Sequence, residues 1–146
     1  MNIKKTTCLL SIHRIYCDRI LSGEKTYEFR KRCPEWVHTG SELVLYSSDA
    51  TETLLAMFEI GEILSGTPEE IWQKTSETSG IDHDSYLRYY EKQPKAFAFA
   101  IRNVRRLGDG NTITSILGDE INPHSFVLLS PEQAEAVHKC IVSTKS

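Results

Sequence analysis

The sequence has 146 residues, of which 40% are hydrophobic and 25% are charged, a composition typical of an ordinary globular protein. Its 17 basic and 20 acidic side chains give a net charge of −3, which excludes a general electrostatic attraction to nucleic acid or anionic membranes. Binding to a polyanion would therefore require a local basic patch. A chain of this length can bury its own core, and we predict a single domain over residues 1–146.

The cysteines and the N-terminal residues are used to predict the cellular compartment of the protein. Four cysteines are scattered without a C-x-x-C pair, and a chain of this length does not need disulfides, so we interpret them as reduced thiols of a cytoplasmic protein. Lys4 and Lys5 precede only the short apolar run CLLSI, which is too short for a signal-peptide core or a membrane span. We expect no membrane association, and the sequence leaves the oligomeric state open.

The first predicted elements are a strand and a short helix. Residues 6–12, TTCLLSI, predict the strand. Ser11 suits the N-cap of the helix that follows, and Gly23 suits the left-handed residue that ends it. Apolar residues recur at helical spacing between these two positions and predict the buried face of the helix: Ile12, Ile15, Tyr16 and Ile20.

Three strands are predicted next. Residues 25–32, KTYEFRKR, alternate in polarity. Such a strand would direct Tyr27 and Phe29 to one side and four polar side chains to the other: Thr26, Glu28, Arg30 and Arg32. ELVLYSS and LLAMFEIGEIL predict two further strands, and Gly61 within the second predicts a bulge or bend of the kind that closes small barrels.

A helical insertion follows these strands. TPEEIW predicts a helix over about residues 68–78, in which Thr67, Pro68 and Glu70 supply a capping box. Gly80 ends this helix, and Asp82 begins a second one. The second helix is predicted to bury one face: Tyr86, Leu87 and Tyr90.

The last predicted elements, together with the earlier ones, indicate the fold class. KAFAFAIRNV predicts a central strand, NPHSFVLL a last strand, and SPEQAEAV a C-terminal helix over about residues 131–141 that Ser130 caps. Strands at both ends of the chain around a helical insertion indicate an α+β protein. We predict a small, mainly antiparallel β-barrel of about six strands with peripheral helices.

A charged stretch, residues 22–32 (SGEKTYEFRKR), is the first candidate site. Lys25 follows a helix end, and Glu28 and Arg30 share a strand face about 6–7 Å apart. Arginine binds phosphate bidentately, lysine supplies a mobile point charge, and a carboxylate accepts hydrogen bonds or a proton. The stretch therefore predicts a pocket for an anionic ligand. The alternative is an edge strand whose charges only prevent aggregation.

Other residues are weaker candidates. Arg102 and Arg106 would share a strand face and form a phosphate-binding wall beside Arg30, if the two strands are neighbours; otherwise they mark a solvated strand end. Trp36 and Tyr89 are candidates for stacking on a base; the alternatives are that Trp36 caps the barrel end and that Tyr89 packs in the core. We predict no cofactor and no metal site, because neither Cys33 with His38 nor residues 82–84 have further ligands nearby.

Four residues of the charged stretch match a known signature. Gly23, Lys25, Glu28 and Arg30 fit the pattern G-x-K-x-x-E-x-R, and with the order of the surrounding elements the chain resembles ASCH domains, relatives of the PUA fold, over about residues 7–129. The resemblance implies a six-stranded, partly open PUA-like β-barrel with a cleft beside the signature strand.

The resemblance also implies classes of function. ASCH domains are similar to RNA-associated modules, and some members are enzymes: an amidohydrolase acting on acylated cytidine, and ribonucleases. In the amidohydrolase branch, a lysine equivalent to Lys25 works with a threonine that would fall at Glu28. This chain therefore lacks that hydroxyl, and Thr26 is the nearby hydroxyl that remains.

Three hypotheses stay open. The first is a module that binds RNA or a modified nucleotide or nucleoside, with Lys25, Arg30 and Arg32 on phosphate and Glu28 on a base edge or a ribose hydroxyl. The second is a nucleoside amidohydrolase or ribonuclease with Lys25 and Glu28 as its acid–base pair. The third is a protein-interaction domain in which a Glu28–Arg30 pair only stabilises the fold.

Overall fold

The computed structural model describes residues 5–118 and 126–144. The elements in chain order are β1 (Thr7–Ile12), α1 (Arg14–Ser22), β2 (Tyr27–Arg30), β3 (Glu42–Ser47), β4 (Leu54–Gly66), α2 (Pro68–Thr75), a 3₁₀ turn (Ser76–Thr78), α3 (His83–Tyr89), β5 (Ala96–Leu107), α4 (Ile113–Leu117), β6 (Val127–Leu128), α5 (Pro131–His138) and β7 (Ile141–Thr144).

The described strands form one sheet in the order β2-β5-β4-β3-β1-β6, and β7 pairs with β5. Only β1 and β3 run parallel; the other described pairs are antiparallel. The sheet curls into a half-barrel with β2 and β6 at its two ends, and helices surround it. The α+β class, the mainly antiparallel sheet and the barrel-like shape are as predicted, and β7 is an additional strand.

Local sequence signals placed several helix ends correctly. Thr67 and Glu70 form the predicted capping box, as do Ser130 and Gln133. Gly23 ends α1 in the left-handed region at φ 88°. Ser11, in contrast, does not cap α1, because it belongs to β1 and the helix begins only after His13.

Two predicted helix faces were partly wrong. The side chain of Ile15 is 54% exposed and that of Leu87 is 52% exposed. Helix α1 buries Ile20, as predicted, and also Cys17. Ile12 is buried as predicted but belongs to β1 and not to the helix, and the predicted face did not include Cys17.

Other boundaries also differ. Helix α2 ends at Thr75 and continues as a 3₁₀ turn, and α5 ends at His138 because β7 follows. Neither α4 nor β7 was predicted. The predicted last strand is observed at Val127–Leu128, and its residues 122–125 lie outside the described part of the chain. The predicted bulge at Gly61 is present as a register shift between Ile60 and Ile63.

The two faces of β2 contact different parts of the core. Glu28 pairs with Phe99, which is buried inside the half-barrel. Phe29 faces the other way and packs against Tyr86 of the helical insertion. Paired residues share a face of the sheet, so Glu28 is directed towards the barrel interior.

Within the described ranges, no helix combines the length and the apolar character that crossing a bilayer requires.

The four cysteines are free thiols.

Candidate functional site

A cleft of about 300 Å³ opens where β2 meets the end of β1 and the start of α1. Its lining includes Lys25, Glu28 and Arg30, the three charged residues of the signature stretch. Strand β2 supplies Glu28 and Arg30, and the turn after α1 supplies Lys25. The fold therefore brings the three side chains to one concave surface.

Lys25 lies at the buried side of the cleft and is only 3% exposed. Its Nζ donates a 2.9 Å hydrogen bond to the carbonyl of Ser79 and lies 4.7 Å from the ring centre of Phe29. The ammonium is thus held in place, whereas the sequence predicted a mobile charge. Burial lowers the pKa of Lys25 below its ordinary value of 10.5; the charge of Glu28 opposes this shift and that of Arg19 adds to it.

The segment after the 3₁₀ turn explains why Lys25 is buried. The Thr26 amide donates to the carbonyl of Thr78 at 2.9 Å, and Arg19 donates to the carbonyl of Gly80 at 2.8 Å. Gly80 has φ +67°, and a Cβ there would lie 2.6 Å from Cγ of Lys25. Sequence reasoning had treated Gly80 only as the end of a helix, but its missing side chain makes room for Lys25.

Glu28 and Arg30 form a partly buried ion pair. Glu28 is 6% exposed, and Nη1 of Arg30 lies 3.5 Å from its Oε2. That separation is long for a charge-assisted hydrogen bond, so the carboxylate keeps capacity to accept a hydrogen bond from a ligand in the cleft. The carbonyl of Arg30 accepts a 2.9 Å hydrogen bond from the Tyr90 hydroxyl, which positions the end of β2.

Sequence reasoning missed His13, Tyr16 and Ser48 as lining residues of the cleft. The parallel pairing of Ile12 with Ser47 brings the ends of β1 and β3 together. As a result, Oγ of Ser48 lies 3.2 Å from Nδ1 of His13. No local signal marks these residues, because their meeting depends on the register of two strands far apart in sequence.

Tyr89, a stacking candidate, does line the cleft. Its ring lies 4.6 Å from the Nζ of Lys31, which is exposed at the end of β2. Arg32 is exposed beyond that strand end. Two exposed cations and one aromatic ring therefore continue the surface from the cleft.

The structure places other candidates elsewhere. The hydroxyl of Thr26 donates to that of Thr78 at 2.6 Å, and Thr26 is not among the residues that line the cleft. Trp36 packs edge-on against Phe126, with ring centres 6.3 Å apart, beside the barrel core. Neither side chain shares the surface of Lys25.

Arg102 and Arg106 are also separated from Arg30. Strands β2 and β5 are neighbours, as the predicted phosphate-binding wall required, but they run antiparallel and Arg30 pairs with Phe97. Arg102 and Arg106 therefore lie roughly 15 Å or more further along β5. Arg102 instead donates to Glu59 at 2.8 Å.

In the described part of the chain, no group of three or more His, Cys, Asp or Glu side chains is arranged to hold a metal ion.

Comparison with known proteins identifies relatives. The family model described as ASCH domain matches residues 10–107. A curated relative from Zymomonas mobilis, named ASCH domain-containing ribonuclease, is 24% identical over 95 residues. That alignment covers 65% of this chain and 64% of the relative, so the matched region spans less than two thirds of the relative's length.

Solved structures share the fold. The crystal structure of ASCH from Zymomonas mobilis gives a TM-score of 0.83 at 21% identity and covers 93% of this chain and 96% of that chain. The N-terminal domain of McrB from Staphylothermus marinus gives a TM-score of 0.58 at 14% identity and covers 95% of this chain and 98% of that chain. At these identities, the likeness establishes the architecture alone.

Proposed function

Because this chain belongs to the ASCH domain family, we propose that it binds single-stranded RNA in the cleft beside β2. The observation that supports the proposal is the convergence of Lys25, Glu28 and Arg30 on one concave surface of an acidic protein. Cations hold phosphate, a carboxylate accepts hydrogen bonds from hydroxyl or amino groups, and an aromatic ring such as Tyr89 stacks on a base.

The size of the cleft limits what it accommodates. A volume of about 300 Å³ is at the small end of ligand pockets, so we expect one nucleotide to enter. The rest of the strand would pass over the exposed Lys31, whose Nζ lies 4.6 Å from the ring centre of Tyr89, and over the exposed Arg32 that follows it in the chain. An unpaired strand fits this arrangement better than a duplex, whose stacked bases cannot enter a pocket.

Arg30→Gln is expected to weaken RNA binding about tenfold, because it removes a charge-assisted contact to phosphate. The plot of log affinity against log salt should become shallower by about 0.7 for one lost phosphate contact. Fluorescence anisotropy with a labelled single-stranded oligoribonucleotide at several salt concentrations measures both quantities.

The control for this experiment is Lys139→Gln, which removes an exposed cation of the chain outside the cleft. Its affinity and salt slope should stay close to those of the native protein. Absence of RNA binding at low salt, or equal effects of Arg30→Gln and Lys139→Gln, would contradict the proposed cleft.

A second function, cleavage of RNA, is favoured by the burial and the lowered pKa of Lys25. A buried ammonium whose pKa is lowered gives up its proton more readily than an exposed lysine does, which suits a general acid. The name of the curated relative, ribonuclease, agrees with this candidate. Amidohydrolysis is less favoured, since Glu28 occupies the position of the expected hydroxyl and the Thr26 hydroxyl is bonded to Thr78.

Lys25→Met is expected to reduce the rate of RNA cleavage by about 100-fold or more, because it removes the proton donor while filling similar volume. The native rate should fall as pH rises through the lowered pKa of Lys25, since only the protonated form donates. Single-turnover cleavage of labelled RNA measures the rate, and a melting curve verifies folding. A native rate in Lys25→Met would contradict this candidate.

A further inference from the structure

The spacing of Glu28 and Arg30 indicates which part of a nucleotide they contact. Their charged atoms are 3.5 Å apart, so both groups act on neighbouring atoms of a ligand. In RNA, the 2′-hydroxyl is directly adjacent to the phosphate carried by the 3′-oxygen. The Watson–Crick edge of a base lies much further from its own phosphate. The pair therefore matches the ribose 2′-hydroxyl and its neighbouring phosphate, and does not match a base edge.

The chemistry of the two side chains agrees with that assignment. An ionised carboxylate accepts hydrogen bonds and donates none, so the ligand group at Glu28 has to be a donor such as a hydroxyl. Glu28 is almost entirely buried yet lines the cleft, so a bound hydroxyl would take the place of water there. The guanidinium of Arg30 is suited to two phosphate oxygens.

Lys25 comes to the cleft from the turn after α1, whereas Glu28 and Arg30 come from β2. Its Nζ lies over the ring of Phe29, whose side chain is on the face of β2 opposite to Glu28. The hydrogen bond to the Ser79 carbonyl holds the ammonium in that position. An in-line displacement requires an acid at the leaving oxygen as well as a base at the attacking oxygen, and Lys25 is a second proton-carrying group on the same cleft as Glu28.

Building on the ribonuclease candidate above, we infer that the cleft cleaves single-stranded RNA by transesterification, with Glu28 as the base, Arg30 on the phosphate and Lys25 as the acid. Glu28 takes the proton of the 2′-hydroxyl while the 2′-oxygen forms a bond to phosphorus. The bond from phosphorus to the 5′-oxygen breaks, and that oxygen takes a proton from Lys25. The products are a 2′,3′-cyclic phosphate and a 5′-hydroxyl, and proton exchange with water restores both side chains.

The substrate arm of the test uses the native protein and two oligonucleotides. One is 2′-O-methylated except at a single central ribonucleotide, and the other is fully 2′-O-methylated. The fully methylated strand should bind more weakly, because it has no 2′-hydroxyl to donate to Glu28, so cleavage of the two strands is compared at saturating protein. Only the first oligonucleotide should be cleaved, on the 3′ side of its ribonucleotide. Mass spectrometry should find one fragment that ends in a cyclic phosphate, which is one water lighter than the linear phosphate. The second fragment should begin with a 5′-hydroxyl.

The outcomes of this arm are distinguishable. Fragments with a 5′-phosphate, or cleavage of the fully methylated strand, would overturn the transesterification and leave RNA cleavage in place. Binding without cleavage of either oligonucleotide or of unmodified RNA would overturn the ribonuclease candidate together with this inference. Failure of all these strands to bind would overturn the proposed RNA-binding function itself.

The protein arm compares Glu28→Gln with Glu62→Gln. Glu28→Gln should cleave about 100-fold more slowly, because a general base contributes at least that factor, and should bind RNA within a few-fold of the native affinity. Glu62 is exposed on β4 and does not line the cleft, so Glu62→Gln is the matched control and should cleave at the native rate. Equal rates in the two variants would overturn the role of Glu28.

A third variant tests the identity of the acid. His13 is another titratable group that lines the cleft, and it is exposed and 3.2 Å from the Ser48 hydroxyl. Lys25→Met is expected to slow cleavage more than His13→Asn does. Loss of cleavage in His13→Asn together with retention in Lys25→Met would overturn the assignment of Lys25.

Discussion

Glu42→Ala is expected to lower the free energy of unfolding by about 3 kcal/mol, because it leaves Arg105, whose side chain is largely covered, without its buried counter-ion. Glu42 is 2% exposed. It accepts a 2.9 Å hydrogen bond from Arg105 of β5, and Nε2 of His138 at the end of α5 lies 2.8 Å away. The carboxylate thus joins the C-terminal helix to the sheet. We place the cost at the low end of the range for breaking a buried pair, since His138 is partly exposed and water can hydrate it.

The pH dependence tests the electrostatic origin of this effect. Burial raises the pKa of Glu42, but the hydrogen bonds from Arg105 and His138 outweigh it and hold the pKa below its ordinary value of 4.5. A lowered folded-state pKa means that the stabilisation is complete above about pH 4.5 and is lost as pH falls through the folded-state value. The difference between native protein and Glu42→Ala should therefore shrink in acid.

Urea unfolding followed by circular dichroism at neutral and acidic pH measures both effects. Glu62→Ala is the control, since this exposed carboxylate on β4 should change the free energy of unfolding by less than about 0.5 kcal/mol. An equal deficit of Glu42→Ala at both pH values would show that lost packing, and not the charge, accounts for the destabilisation.

Gly80→Ala is expected to lower the free energy of unfolding by about 2–5 kcal/mol. One part, about 1–2 kcal/mol, is the cost of a side chain at positive φ, since Gly80 has φ +67°. A second part, about 1–3 kcal/mol, arises because the new methyl group would lie 2.6 Å from Cγ and 2.9 Å from Cα of Lys25, and closer still to its Cβ. The same collision should displace the Lys25 ammonium and slow RNA cleavage at temperatures where the variant is folded.

Gly110→Ala separates these two contributions. Gly110 has φ +80°, but no atom lies within 4 Å of a Cβ at that position. Its alanine variant should therefore show the backbone cost alone and retain native RNA cleavage. Urea unfolding of both variants gives the comparison. Equal stabilities would mean that the segment around Gly80 moves aside freely and does not fix Lys25.

Much of the local structure could be predicted from the sequence. The capping box of Thr67 and Glu70 and the left-handed Gly23 involve residues a few positions apart, so short-range hydrogen bonding and backbone sterics determine them. The apolar run at the start of β5 similarly indicated a central strand, and the strand lies between β2 and β4. The four-residue signature identified the family for the same reason, since its members are close together in the chain.

The set of residues that line the cleft could not be predicted from local sequence signals. His13 and Ser48 meet because β1 and β3 pair in parallel, and Arg102 lies away from Arg30 because β2 and β5 run antiparallel. Strand direction and register are properties of the whole sheet. No stretch of sequence around one of these residues contains that information.

Burial of charge was decided by tertiary structure as well. From the sequence, Lys25 was a mobile cation after a helix, and Glu42 was merely the first residue of a strand. The segment that contains Ser79 and Gly80 folds back onto Lys25, and His138 reaches Glu42 from the far end of the chain. The sequence by itself determined most of the elements and the family, because their signals are local. Which charges are removed from water, and which groups they then meet, depended on packing between segments that are distant in the chain.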